Sequence, residues 1–248
     1  VFNYPMFKDL ESRQTVLTGL AAHVIIGSNL ALGEKTVDSE TMLVSGSYFS
    51  VLGLRPALGR LLTPADDEVP GEHPVAVLSH RFWVNELGSD PDVLNSTVVV
   101  NGRSLTIVGV APEGFDGTTL GALPAVFVPI TMRGQLVARG GNEFENRRAY
   151  WAYLFGRLKP GVGVEQASAE LNTLYSGILT DVEVPLNDGM SEATLERFRT
   201  RELLLEPGWR GQSSVHEDAR APMLLLLGIT GIVLLIACAN VANLLLAR

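Results

Sequence analysis

The sequence predicts an α+β, two-lobed extracytoplasmic domain followed by one transmembrane helix. Three observations carry that prediction. The chain closes on a long apolar run, its middle holds a hairpin signal built on Asn101-Gly102, and its last third reads strand, helix, strand.

The apolar run is 221–247, in which no side chain ionises at neutral pH; Arg248 follows it. At 1.5 Å per residue roughly 25 residues reach about 38 Å, enough to cross a hydrocarbon layer of about 30 Å with some tilt. Its nine leucines, three isoleucines and two valines contribute roughly −4 to −8 kcal/mol to insertion, more than two asparagines near one end oppose. Pro222 suits a first helical turn, where its missing N–H costs nothing. Arg248 stands where a positive inner flank is expected, which places residues 1–220 outside the cytoplasm. Gly228 and Gly231 lie one turn apart, and Asn240 and Asn243 share another face. Small residues allow close helix approach and Asn bonds across helices in lipid, so these four are candidate helix–helix contacts; a lone anchor is the alternative.

Along the domain, Met6, Phe7, Leu10 and Leu17 recur at helical spacing after Pro5 and predict a short amphipathic helix. Residues 22–32 and 36–44 read as strands joined by a turn at Gly33-Glu34-Lys35. Ser47 to Leu52 is helical and stops at Gly53. Asp66-Asp67-Glu68 before Pro70-Gly71 reads as a solvated acidic loop in preference to a cation site, because alternating oxygen donors around a glycine turn are missing. A strand over 74–78 leads to a helix over 80–87 that stops at Gly88.

Thr97 to Val100, Asn101-Gly102 and Arg103 to Val110 give the clearest local signal: Asn-Gly supplies the positive φ angles of a two-residue turn, with β-branched residues on either side. The tip, Asn101 and Gly102, is a candidate partner-contact surface. A short strand over 125–130 follows, then a polar stretch, 131–149, expected to be a mobile loop with a short helix. Residues 152–158 read as a strand, 164–181 as a helix with a stripe at Val164, Ala167, Leu171, Leu174, Tyr175, Ile178 and Leu179, and 202–205 as a strand that completes a β-α-β unit. The lobes expected are a sheet-and-helix lobe, approximately 1–88 and 150–215, and an inserted strand-rich lobe, 89–149.

Composition narrows the function. The net charge is −8, and −9 before Ala221 because Arg248 is the single charge beyond Arg220. Such a domain repels phosphate backbones, so nucleic acid is not expected as a partner. Cys238 is the sole cysteine, so no intrachain disulfide is expected. Val1-Phe2-Asn3-Tyr4-Pro5 lacks the basic and apolar regions of a signal peptide, and without an initiator Met the true start is expected upstream. No Gly-Lys-Ser/Thr phosphate loop, Gly-x-Ser-x-Gly elbow, His-Glu-x-x-His pair or Cys-x-x-Cys knuckle occurs. His23, His73, His80 and His216 are scattered, and Trp83, Trp151 and Trp209 are read as core or lobe-contact residues. No enzyme, cofactor or metal is expected.

Val77-Leu78-Ser79 with Trp83, Gly88, Asp90-Pro91, Asn101-Gly102, Val108-Gly-Val-Ala-Pro112 and Gly114-Phe115 resemble the MacB-like periplasmic core domain of bacterial ABC transporter permeases. Arg157-Leu-Lys-Pro-Gly-Val162 with Glu165-Gln166-Ala167 resembles the same family. The tail from Ile236 to Arg248 looks like the start of an FtsX-like permease module, as in the large duplicated permeases typified by acidobacteria. Asn95 replaces the family's usual Gly, and Asn tolerates the same left-handed backbone. The resemblance implies that 1–220 is the core domain, with a porter-like lobe and an inserted lobe, and that 221–248 opens the permease module. It implies a fragment of a permease subunit in the bacterial inner membrane, with 1–220 periplasmic. A separate ABC ATPase subunit and a second permease copy, as homodimer or duplicated half, are the implied protein partners. The outer domain would transmit ATP-driven motion in mechanical coupling or efflux. A membrane-tethered ligand-binding or sensor module is the alternative, and a tethered hydrolase using His80 and Asp90 a third.

Overall fold

The computed structural model describes residues 1–33, 35–137, 143–187, 189–212 and 215–246. They form two units, Val1–Thr118 with Ala122–Trp209, and Thr119–Gly121 with Arg210–Arg248.

The first unit opens with α1, Tyr4–Arg13, which starts where Asn3 is extended and its side chain accepts from the Met6 N–H at 2.7 Å. This is an N-cap, and Pro5 fits the first turn after it. β1, Leu17–Leu32, and β2, Lys35–Val44, form the long hairpin; Glu34, within the expected turn, lies outside the described residues. Next come α2, Tyr48–Leu52, the two-residue β3, Leu58–Gly59, β4, Val75–Leu78, and α3, His80–Leu87. β5, Thr97–Val100, and β6, Arg103–Val110, form the Asn-Gly hairpin, with φ of 48° at Asn101 and 80° at Gly102. β7, Pro124–Pro129, α4, Arg133–Leu136, β8, Tyr153–Leu158, α5, Val164–Ile178, and α6, Glu192–Arg199, complete the unit. Asn95 has φ 64°, the left-handed backbone expected of it.

Among the described residues the strands join in one eight-stranded sheet. β1 pairs with β2, β2 with β7, β7 with β4, β4 with β6, β6 with β5, and β5 returns to β1, so the pairings close a circuit. β8 adds to β1 and β3 to β6. The segment 89–149, expected as an inserted lobe, supplies β5, β6 and β7, and these bond to β1, β2 and β4 from the flanking segment. Its strands thus share a sheet with the rest of the domain, because β1 is long enough to pair with β8 through its first half and β5 through its second.

Strand alternation sorts the core into two layers. Leu43, Ala76, Leu78, Val126 and Val128 belong to one cluster with Met6, Phe7 and Leu10 of α1 and Leu171 and Tyr175 of α5. Met42, Val44, Val77 and Phe127, the interleaved positions, belong to another with Tyr48 and Phe49 of α2. Both faces of these strands are buried, which is why they read as unbroken apolar runs.

Residues 202–205 depart from expectation. They join no strand among the described residues: Leu203 donates its N–H to Asn172 Oδ1 at 2.6 Å and its carbonyl accepts from Asn172 Nδ2 at 3.1 Å. One amide side chain on α5 thus takes both backbone groups that a ladder would use, and the expected β-α-β unit stops after its helix. α5 itself runs on into a π-helical turn, Leu179–Glu183. In 131–149 the expected short helix is α4; residues 138–142 lie outside the described set, while Phe144 beyond them packs edge-on against Tyr4 at 4.9 Å.

The second unit holds α7, Val215–Leu246. Thr119 bridges Gln212, and Leu120 donates its N–H to the Gln212 carbonyl at 2.8 Å. Among the described residues no helix is long and apolar enough to cross a membrane; the unbroken run of described side chains in α7 is 224–239.

β3 joins the sheet by approaching β6 closely. A Cβ on Gly109 would lie 1.9 Å from the Arg60 carbonyl oxygen, a backbone atom that cannot swing aside. Gly109→Ala is expected to lower unfolding stability by at least about 3 kcal/mol, read by urea denaturation in detergent; a loss below about 1 kcal/mol would show that β3 is free to separate from β6.

Candidate functional site

The hairpin tip is built into the domain. Asn101 Oδ1 accepts from the Asn29 N–H at 2.9 Å, Asn101 Nδ2 donates to the Leu136 carbonyl at 3.0 Å, and the Asn101 N–H reaches the Asn29 carbonyl at 3.0 Å. The amide therefore ties β5 and β6 to β1 and α4. Gly102, beside it, faces open space.

On α7, Gly228 and Gly231 are exposed, with nothing within 4 Å of a built Cβ. Asn243 is exposed as well, and the Asn240 side chain lies outside the described residues. The large side chains between Leu224 and Ile236 are exposed at 56–71%. His80 packs edge-on against Trp83 at 5.6 Å, and Asp90 caps a 3₁₀ turn through the Asp92 N–H at 2.9 Å. Neither side chain is set beside a nucleophile in these contacts.

The acidic run corrects the expectation of a solvated loop. Asp66 is buried and takes the Arg60 guanidinium bidentately at 2.7 Å per bond, together with the Thr63 N–H at 2.9 Å and hydroxyl at 2.8 Å. Asp66 is the N3 residue of a capping box closed by Thr63. Asp67 accepts from the Thr131 N–H at 3.0 Å, the Thr131 hydroxyl at 2.8 Å and the Gly46 N–H at 3.0 Å. Asp66 thus closes its own loop, and Asp67 stitches that loop to distant parts of the chain, Gly46 and Thr131. Sequence spacing shows acidity but not which donors will surround it.

A second charged cluster joins the first helix to the π-helical turn. Arg147 reaches Asp9 on α1 at 2.8 Å and Glu183 at 2.9 Å, where the Glu183 side chain is 2% exposed. Asn3 Nδ2 donates to the Arg147 carbonyl at 2.7 Å, and Asn187 Nδ2 donates to the Glu183 carbonyl at 2.7 Å. Removing the guanidinium leaves Glu183 buried without its counter-charge, a loss in the range of 3–5 kcal/mol. Arg147→Met is therefore expected to unfold about 3 kcal/mol more easily, and the double variant Arg147→Met with Glu183→Leu to recover much of that loss. Equal stability of the single variant and the parent in urea melts would contradict the pairing.

His23 is 2% exposed, on β1 among Tyr48, Tyr153 and Phe155, at centroid distances of 5.8–6.1 Å. Among the described residues its Nδ1 has no hydrogen-bond partner. Burial lowers it to about 4. Burial likewise pushes Asp67 up to about 6, against the hydrogen bonds from Thr131 and Gly46 that pull it down. The linkage signs oppose. His23, depressed when folded, stabilises fully above about 6.5, and that contribution is lost as pH falls toward 4. Asp67, raised when folded, stabilises fully below about 3.8, and that contribution is lost as pH rises through 6. Each spans at most roughly 3 kcal/mol, so the two nearly cancel between pH 4 and 6.5. His23→Phe is expected to gain stability on acidification from pH 7 to 4.5, and Asp67→Asn to lose it, in urea melts at both pH values. Two variants with the parent's pH dependence would refute this balance.

Two open grooves flank α5. One, of about 470 Å³, is lined by Val164, Ser168, Asn172, Glu202 and Leu205, and the other, of about 480 Å³, by Gln14, Val16, Glu170 and Leu174 among others. Both lie open to solvent, unlike the recesses that enclose small ligands.

No curated protein matches the chain significantly. In fold it is similar to the periplasmic region of MacB from Actinobacillus actinomycetemcomitans, with a TM-score of 0.57 at 19% identity, covering 72% of this chain and 74% of that one. It is also similar to the extracellular domain of the noncanonic ABC-type transporter YknZ from Gram-positive bacteria, with a TM-score of 0.54 at 17% identity, covering 77% and 87% respectively. Residues 3–174 match the MacB-like periplasmic core domain, and the chain belongs to that family.

Proposed function

We propose that this chain is part of an ABC-type permease subunit in which 1–220 lies outside the cytoplasm and 221–248 crosses the inner membrane as the opening helix of an FtsX-like module. The observation that carries this is the sequence of parts: a MacB-like core domain over 3–174, followed by a helix whose large apolar side chains are exposed at 56–71%. Leaving that much leucine and isoleucine in water costs on the order of 1.5–3 kcal/mol per side chain. Lipid removes the cost, and the helix satisfies its own backbone.

In this reading the subunit performs no covalent chemistry. A separate ATPase and a second permease copy supply and share the motion, and the outer domain passes it on for efflux or a related mechanical task. What supports a transmitting role is the way the domain is fastened: a closed circuit of strands with charged side chains pinning its loops. A membrane-tethered sensor would need an enclosed pocket, and the concavities beside α5 are open.

Topology tests the reading. With alkaline phosphatase fused after Trp209 and, separately, a fluorescent protein fused after Arg248 in the full-length polypeptide, phosphatase activity and cytoplasmic fluorescence are both expected. An inactive phosphatase fusion that is nonetheless expressed would place the domain in the cytoplasm and end the permease reading.

A further inference from the structure

The outer edge of β8 is unclaimed by anything described so far. The Ala22 carbonyl accepts from the Ser45 N–H at 2.8 Å, so even-numbered residues in this part of β1 direct their backbone groups to β2. Odd-numbered Gly19, Ala21 and His23 face Arg157, Phe155 and Tyr153. The Arg157 carbonyl accordingly accepts from the Thr18 hydroxyl at 3.1 Å, and the Lys159 N–H reaches the Val16 carbonyl at 2.9 Å. By alternation the N–H and C=O groups of Leu154, Gly156 and Leu158 point away from β1.

That outward edge accepts a strand where one is offered. At Ala152, of the same parity, the Phe2 N–H donates to the Ala152 carbonyl at 2.8 Å and the Ala152 N–H to the Phe2 carbonyl at 3.0 Å. Among the described residues no strand continues the pairing beyond that point, and β8 pairs with β1 alone. The edge is lightly defended: Tyr153-Leu-Phe-Gly-Arg-Leu158 holds no Pro, Lys or acidic residue, and its one charge, Arg157, is turned onto the Val51 and Leu52 carbonyls at 2.6 and 3.1 Å.

We propose that β8 is a homotypic docking edge, at which a second copy of this chain pairs its own β8 antiparallel about a two-fold axis through Gly156. The strand's own pattern selects this occupant. Centred on Gly156, the pairing sets Leu154 opposite Leu158 of the partner subunit and Phe155 opposite Arg157 of the partner subunit. The first is an apolar cross-strand pair, and the second lays the ring against the aliphatic stem of an arginine whose guanidinium stays bonded to the Val51 and Leu52 carbonyls of its own chain. Gly156 leaves the axis without a side chain, and the facing backbone groups form about six hydrogen bonds. A contact of this size belongs with weak, reversible associations.

The proposal rests on β8 and not on the permease reading, so a failed topology test leaves it standing. Hydrogen exchange of the whole chain in detergent, across a concentration series with mass measured by light scattering, tests it. The Leu154, Gly156 and Leu158 amides are expected to slow by at least about tenfold as monomer gives way to dimer, while those of Tyr153 and Phe155, already bonded to β1, hold steady. Leu154→Pro spares the β1 ladder, because the Leu154 N–H is outside it, and should weaken association at least about tenfold. Should that variant fail to fold, the exchange series on the parent chain decides. Exchange at the three outward amides that is independent of concentration overturns the proposal, whether the chain stays monomeric or dimerises elsewhere, for instance through α7.

Discussion

Every layer of the first unit depends on β1 satisfying its backbone on two edges while burying side chains on two faces. One edge is taken by β2 from His23 to Leu32; the other passes from β8 in the first half to β5 at Leu30 and Ala31. A strand shared in this way binds the helix-covered sheet and the hairpin-rich segment into one body. Alternation then fixes which residues enter which core, since a one-residue slip would exchange the two sets. With Ala21, Ala22 and Leu30 at 0–1% exposure, the chain has no spare register in which β1 remains satisfied.

Charges hold what the strands do not. The stretches around 60–67 and 143–151 carry little regular structure, yet each is fixed by a carboxylate with several donors: Asp66 and Asp67 in the first, Glu183 with Arg147 in the second. Buried ion pairs contribute little net stability over apolar packing. Their directional hydrogen bonds do specify one arrangement, which apolar contact alone does less well. The opposed titrations of His23 and Asp67 fit the same picture. Each is costly to bury in its charged form, and since one is a base and the other an acid, the sum varies little over the pH range where both change.

Much of this was legible in the residues. Asn101-Gly102 between β-branched runs announced the hairpin, and Pro5, Gly53 and Gly88 announced helix ends, because turn and cap chemistry are local. The period-3.6 stripe of α5 was legible for the same reason. Strand partners were not: the merging of 89–149 into the common sheet depends on β1 being 16 residues long, and the strand reading began only at Ala22. Glu202 to Leu205 shows the converse. Its composition suits a strand, but the amide of Asn172 lies 31 positions away and takes its backbone groups first. The buried roles of Asp66, Asp67 and Arg147 were hidden because a charged residue looks alike in sequence whether its partner is water or a distant hydroxyl.

The contrast between the two units bears on the permease reading. In the first, apolar side chains are enclosed by strands paired on both edges, so displacing one element strains several others and motion is carried through the body rather than absorbed in it. In the second, a helix satisfies its own backbone but leaves its leucines and isoleucines uncovered, and water is the wrong solvent for that surface. In the permease proposed above, a self-contained body and a helix covered by lipid would be the two elements of a mechanical coupling: one to carry displacement, the other to receive it from within the bilayer.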